Sequence, residues 1–380
     1  MKHILFFVES LSGGGAEKVL VTLLRHLDLH KYKITLISLV DTGVLREEID
    51  TEKIRYQPII RPSSNKSVSL WNKIKYKLIY LFLPARLVCR WIIPQKGFDL
   101  YVAFTEGFAT KLLAFAPGPK LAWVHIDLIS FPWTQDKHIF RSIQEETLAY
   151  QRFNRVICVS ESVERAMILR YGLTRTQTIL NPIDSEEIKT KANLDCGIIL
   201  PNIGIRIVSV GRLSYQKGFD RLIPLIRKLR NLNLDVSLYL IGEGEEQTYL
   251  NTLTKENHLD GHVVFCGYQK NPYALMSQMD LFVCSSRAEG YSLVIAEALT
   301  LGLPVISTNC SGPDSLLDGG KYGVLCENDE ELFLAMEKAV TDSDFLDKLR
   351  EKSRNRSGFF NIRETVRQVE VLFDETICLP

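Results

Sequence analysis

The sequence predicts an α/β protein of two similar lobes, each a parallel sheet flanked by helices. Three observations carry this expectation. The chain has 380 residues, enough for two domains of ordinary size. A strand, a tight turn and a helix follow one another at the N-terminus, and the same succession begins again after residue 205. The strand segments are continuous apolar runs, as expected of strands covered on both faces.

Residues 4–8 (I-L-F-F-V) read as the first strand, 12–18 as a glycine-rich turn and 19–27 as a helix with apolar positions at helical spacing. This is a Rossmann-like opening unit. The dinucleotide fingerprint fails, because Lys18 stands where the third glycine would be. Residues 32–40 give a second strand and 99–104 another, followed by T-E-G-F-A-T at its carboxyl end. Residues 120–125 (K-L-A-W-V-H) form a strand that ends on His125, with Asp127 two positions on. Such a histidine is open to a structural or a functional reading. Residues 155–160 close the first sheet, 161–171 form its helix, and T-I-L-N-P-I-D (178–184) marks the crossing to the second lobe.

Residues 61–96 depart from the rest of the chain. They carry eight Lys or Arg and no Asp or Glu, interleaved with Trp71, Tyr76, Tyr80, Phe82 and Trp91. The apolar part, 78–94, is too short and too charged to span a membrane. A basic, aromatic, amphipathic stretch instead suits the surface of an anionic membrane, or else packs on its own domain as a basic helix.

The second lobe opens with the strand 206–210, the turn G-R-L-S-Y-Q-K-G (211–218) and a helix over 219–231. Arg212 and Lys217 flank a turn at a strand's carboxyl end, so both cations can converge on a pyrophosphate. Strands follow at 237–241 with G-E-G-E-E, at 263–265 with C-G-Y, and at 281–284. The last of these feeds the loop 285–290 and a helix over 292–301, closed by Gly302. That helix is apolar on every face except for Glu297, which must therefore meet a polar partner. Glu289 lies in the loop ahead of it, and the amides of Gly290, Tyr291 and Ser292 at the helix start suit a phosphate. A pair of carboxylates bracketing those amides could accept hydrogen bonds from hydroxyls at the two ends of a nucleotide sugar. The plainer reading is a core carboxylate at 297 salt-bridged to a Lys or Arg, with Glu289 solvated.

Composition narrows the function classes. A net charge of +1 argues against a general nucleic-acid binder. The eight scattered cysteines include no C-x-x-C pair, which suits reduced thiols in the cytoplasm and neither a zinc site nor a disulfide framework.

The run E-G-Y-S-L-V-I-A-E-A-L-T-L-G-L-P-V-I (289–306) resembles the Glu-x7-Glu motif of retaining glycosyltransferases of the GT-B fold, family 4. G-R-L-S-Y-Q-K-G (211–218) is similar to that family's diphosphate motif. The resemblance implies two Rossmann-like lobes facing each other across a deep cleft. It places an acceptor-binding lobe at 1–180, a nucleotide-sugar lobe at 181–360 and a C-terminal helix, 361–380, returning to the first lobe. It puts Glu289 on sugar hydroxyls, Glu297 on the ribose, Arg212 and Lys217 on the diphosphate, and Gly267 and Tyr268 beside the base. His125 contacts the donor sugar, and Gly14 and Gly15 allow close backbone approach to the donor. His125, Arg212, Lys217 and Glu289 are the expected catalytic set. The implied reaction is transfer of a sugar from a uridine diphosphate donor to a lipid-linked or glycan acceptor of the cell envelope. The enzyme would lie peripherally on the inner face of the cell membrane and use no cofactor, with two fixed cations doing the work of a metal. A sugar-nucleotide epimerase or hydrolase on the same scaffold is the alternative chemistry, and a non-catalytic nucleotide-sugar-binding protein is the alternative class.

Overall fold

The computed structural model describes residues 1–198 and 204–378. Two compact units divide the chain: Met1–Pro182 together with Arg363–Pro380, and Ile183–Ile362.

The first unit holds a sheet of seven parallel strands. They are β1 (Lys2–Val8), β2 (Tyr32–Val40), β3 (Arg55–Ile60), β4 (Leu100–Ala103), β5 (Lys120–Val124), β6 (Arg155–Cys158) and β7 (Thr176–Thr178). Their order is β3-β2-β1-β4-β5-β6-β7. All four residues of β4 are buried, as are the last five of β1, because helices cover both faces. The direction of winding reverses between β1 and β4, so their carboxyl ends leave a crevice where open α/β sheets bind ligands. Glu9 follows β1, Glu106 lies just beyond β4 and His125 follows β5.

The helix Ile362–Cys378 completes this unit from far along the sequence. Phe373 is fully buried, with its ring centroid 6.0 Å from Phe6 and 5.9 Å from Tyr32. Asp374 takes hydrogen bonds from Lys2 at 2.8 Å and the Tyr32 hydroxyl at 2.7 Å.

The second unit has six parallel strands. They are β8 (Ile205–Val210), β9 (Val236–Ile241), β10 (Val263–Phe265), β11 (Leu281–Cys284), β12 (Val305–Thr308) and β13 (Val324–Cys326), in the order β10-β9-β8-β11-β12-β13. Its core interleaves Ile207, Leu238 and Leu240 of the sheet with Leu222, Ile226 and Leu229 of the helix Phe219–Asn231. The winding reverses here between β8 and β11. The turn 211–218 and the loop 285–292 therefore leave the sheet side by side.

Candidate active site

At the reversal point of the second sheet, two loops are joined through their charged residues. Lys217 Nζ donates to Glu289 Oε1 at 2.6 Å, and Ser286 Oγ donates to the same oxygen at 2.7 Å. Oε2 of Glu289 takes no hydrogen bond from the described residues. Burial pulls the Lys217 pKa down, but the adjacent Glu289 charge and hydrogen bond outweigh it, and the net shift is upward. Lys217 therefore keeps its proton throughout the physiological range. Gly218 makes this approach possible. Its φ is +67°, and a Cβ there would fall 2.1 Å from the Ser285 carbonyl oxygen. Arg212 on the same turn is exposed and makes no side-chain hydrogen bond or ion pair with the described residues.

The helix Leu293–Thr300 starts after Ser292, which is its N-cap. Glu297 is 3 % exposed within it, and its burial is met by a polar neighbour, the Tyr273 hydroxyl donating to Oε1 at 3.3 Å among its contacts. Glu289 is buried and paired with Lys217, so the reading of a merely solvated carboxylate there is wrong. Gly267 and Tyr268 sit after β10, where the Gly267 carbonyl accepts from Gly242 and the Tyr268 amide donates to Glu243 Oε1 at 3.3 Å. The chain's one Asp-x-Asp triplet, Asp342-Ser343-Asp344, is exposed at the start of a helix, where Asp342 caps the Phe345 amide.

The first unit gathers its own group at the carboxyl ends of β1, β4 and β5. His125 Nε2 lies 2.8 Å from the Phe104 carbonyl oxygen. A carbonyl can only accept, so Nε2 carries the hydrogen and Nδ1 is left with a lone pair. That Nδ1 is shielded from solvent and has no partner among the described residues. Burial pulls the imidazole pKa down to about 4, so it is neutral at pH 7. Glu106 accepts the His125 main-chain N–H at 2.9 Å and holds that corner in place. Glu9 accepts from the Tyr80 hydroxyl at 3.2 Å and the Phe108 amide at 3.3 Å. Burial pushes its pKa up to about 7, against the pull of those two hydrogen bonds and with help from the Glu106 and Glu17 charges.

In the glycine loop, the backbone need for glycine falls at Gly13, with φ +98°. Gly14 is the helix N-cap at φ −70°, and Gly15 is already the first helical residue. The helix thus starts four residues earlier than apolar spacing alone implies. Glu9, Glu106 and Ser286 lay outside the set read from sequence. Only T-E-G-F-A-T at a strand's end hinted at one of them.

Comparison with known proteins places both units. The model of the family described as Glycosyltransferase Family 4 matches residues 13–187, and that of Glycosyl transferases group 1 matches residues 201–356. The chain is 31% identical to an uncharacterized glycosyltransferase of Methanocaldococcus jannaschii over 88% of its own length and 90% of that protein's. It is 29% identical to N-acetylgalactosamine-N,N'-diacetylbacillosaminyl-diphospho-undecaprenol 4-alpha-N-acetylgalactosaminyltransferase of Campylobacter jejuni, over 94% of each chain. Among solved structures, Anabaena HepE in complex with UDP-glucose superposes with a TM-score of 0.73 at 19% identity, covering 99% of this chain and 100% of the other. Sucrose-phosphate synthase from Thermosynechococcus elongatus superposes with a TM-score of 0.77 at 17% identity, covering 99% of each chain.

Proposed function

The chain belongs to the family 4 glycosyltransferases, enzymes of the GT-B fold, and from that premise we propose that it moves a hexose or N-acetylhexosamine from a uridine diphosphate donor to a lipid-linked or glycan acceptor. The observation that carries this reading is the contact of Lys217 with Glu289 at the reversal point of the second sheet, with Glu297 on the helix just beyond. A permanently charged ammonium beside a buried carboxylate suits a ligand that is anionic at one end and rich in hydroxyls at the other. The uridine donor draws support from HepE, solved with UDP and with UDP-glucose. The lipid-linked acceptor draws support from the Campylobacter relative, whose name carries a diphospho-undecaprenol substrate.

In this reading, Arg212, Lys217 and the amides of Tyr291 and Ser292 stabilise the charge that gathers on the leaving diphosphate. Glu289 accepts from sugar hydroxyls through Oε2, and Glu297 from the ribose. Gly267 and Tyr268 lie against the base, with Gly290 in the loop that receives the diphosphate. His125 is neutral and offers Nδ1 to a sugar hydroxyl, while Gly14 and Gly15 bring backbone near the donor. The attacking hydroxyl enters on the face the diphosphate leaves, so the anomeric configuration is retained. Acceptor binding falls to the first unit and donor binding to the second. The fixed cations replace a metal, and the enzyme works at the inner face of the cell membrane in cell-envelope polysaccharide synthesis.

A thermal-shift panel of nucleotide sugars, followed by UDP release from radiolabelled donors with and without glycan acceptors, tests the reading. UDP-sugars should stabilise the protein, acceptor should accelerate release, and excess EDTA should leave the rate largely intact. Stabilisation without turnover would mean a binding protein, and release unaffected by any acceptor would mean a hydrolase.

A further inference from the structure

The loop that carries Glu289 also carries an arginine, and both terminal nitrogens of that arginine are engaged. Arg287 Nη1 and Nη2 donate to Asp220 Oδ1 and Oδ2, both at 2.7 Å, in a two-pronged pair. Nη1 also donates to the Tyr215 carbonyl at 2.8 Å, and Cζ lies 3.9 Å from the Tyr215 ring centroid. From sequence, an arginine two residues before Glu289 would pass for a further diphosphate ligand. Its prongs are instead committed to a carboxylate and a carbonyl of the neighbouring turn and helix.

We infer that Arg287 and Asp220 are positioning residues that latch the turn 211–218 to the loop 285–292, so that Lys217 and Glu289 meet in register. The latch is one of several ties between the same two segments. The Arg287 amide donates to the Gln216 carbonyl at 2.8 Å, and Gln216 Nε2 returns a bond to the Ala288 carbonyl at 2.8 Å. Ser285 Oγ donates to the Lys217 carbonyl at 3.1 Å. Lys217 and Glu289 each lie within two residues of a latched backbone. Among these ties only Arg287–Asp220 is charged and two-pronged, and such pairs fix direction as well as distance. Lysine cannot replace it, because an ammonium presents no planar fork. Asp220 stands in the first turn of the helix Phe219–Asn231, so the latch anchors both loops to a packed element of the core.

This inference rests on the transferase reading for its catalytic consequence but not for its structural one, and the experiment separates the two. Hydrogen exchange on the ligand-free Arg287→Ala protein should rise in both 211–218 and 285–292 and stay unchanged elsewhere. UDP-sugar turnover should fall by up to about 10²-fold in kcat, the cost of a small misplacement. The losses of Lys217→Ala and Arg287→Ala should combine to less than their product in the double variant, since part of each passes through the same ammonium. Arg287→Lys should show the same exchange pattern to a lesser degree, and it serves if the alanine variant fails to fold. Exchange that rises in one loop only, or in neither, overturns the latch. So do losses that multiply in the double variant. A wild-type protein inactive on every donor would sink the transferase reading, while the exchange pattern would still decide the latch.

Discussion

Lys217 is the residue on which the proposed chemistry depends most directly. Lys217→Ala should lower kcat by about 10²–10³-fold, the usual cost of losing one donor to a developing anion, in single-turnover measurements with a UDP-sugar. Near-normal turnover would remove the charge-stabilising role. Glu9 permits a test by pH. Its carboxyl sits at about 7 in the folded protein against an ordinary value of 4.5, so between those values the folded state holds a proton that the unfolded chain has lost. Stability from this group is present below pH 4.5 and is lost as the pH rises through 7. Glu9→Gln removes that dependence. The melting temperature of the variant minus that of the wild type should therefore grow more positive between pH 5 and pH 8, and a flat difference would show that Glu9 is not held in its neutral form. Arg212, Lys217, Glu289 and Glu297 were legible in the sequence because each stands at a fixed offset within one local motif. Arg287 was not, because Asp220 lies 67 positions away and only the fold brings them together.

Among the elements, the strands were readable wherever burial on both faces made them continuous apolar runs, as in β1, β4 and β11. β3 was missed. It pairs only with β2, at the sheet's edge, and it contains Pro58, which an edge strand tolerates and a central one does not. The order of strands was also out of reach, since periodicity says nothing about which strand neighbours which. The basic segment resolves into the helix Lys66–Lys77, a π-helical turn over Leu78–Phe82 and the helix Ala85–Ile92. The wide turn carries Tyr80 inward, where its ring stacks on Tyr76 and Phe108 and its hydroxyl reaches Glu9. The returning helix Ile362–Cys378 buries Val369, Leu372 and Phe373, the last with no exposure at all. Phe373→Ala should therefore cost about 3–5 kcal/mol in the urea transition of the first unit, the usual range for a fully buried phenylalanine. An unchanged midpoint would mean that the helix is not part of that unit's cooperative core.

For the molecule as a whole, charge is unevenly spread. Residues 61–96 contribute +8 (eight Lys/Arg, no Asp/Glu) to a total of +1, so the other residues sum to −7. The same segment exposes Leu70, Trp71, Leu81, Phe82 and Trp91, each at 61–69 %, and the helix Lys66–Lys77 has no buried residue. The segment packs on its unit through Ile79, Val88 and Cys89, and these side chains are left in solvent on its outer side. Among the described residues no helix is long and apolar enough to cross a membrane. Near an anionic leaflet each Lys or Arg is worth about 1 kcal/mol, and the exposed tryptophans suit the headgroup level. Co-sedimentation with anionic vesicles should therefore be strong at low salt, weaker at high salt, and lost when Lys73→Glu, Lys75→Glu and Lys77→Glu are combined. Binding that survives the triple reversal would show that these charges do not hold the protein to lipid. The returning helix also sets an order of biogenesis. During synthesis the residues of the first unit emerge first, yet that unit keeps the Phe6–Tyr32 seat of Phe373 uncovered until the helix at 362–378 leaves the ribosome. The second unit, complete by Ile362, can thus finish folding before the one that precedes it, and a nascent chain halted between the two would carry an open apolar groove for a chaperone to find.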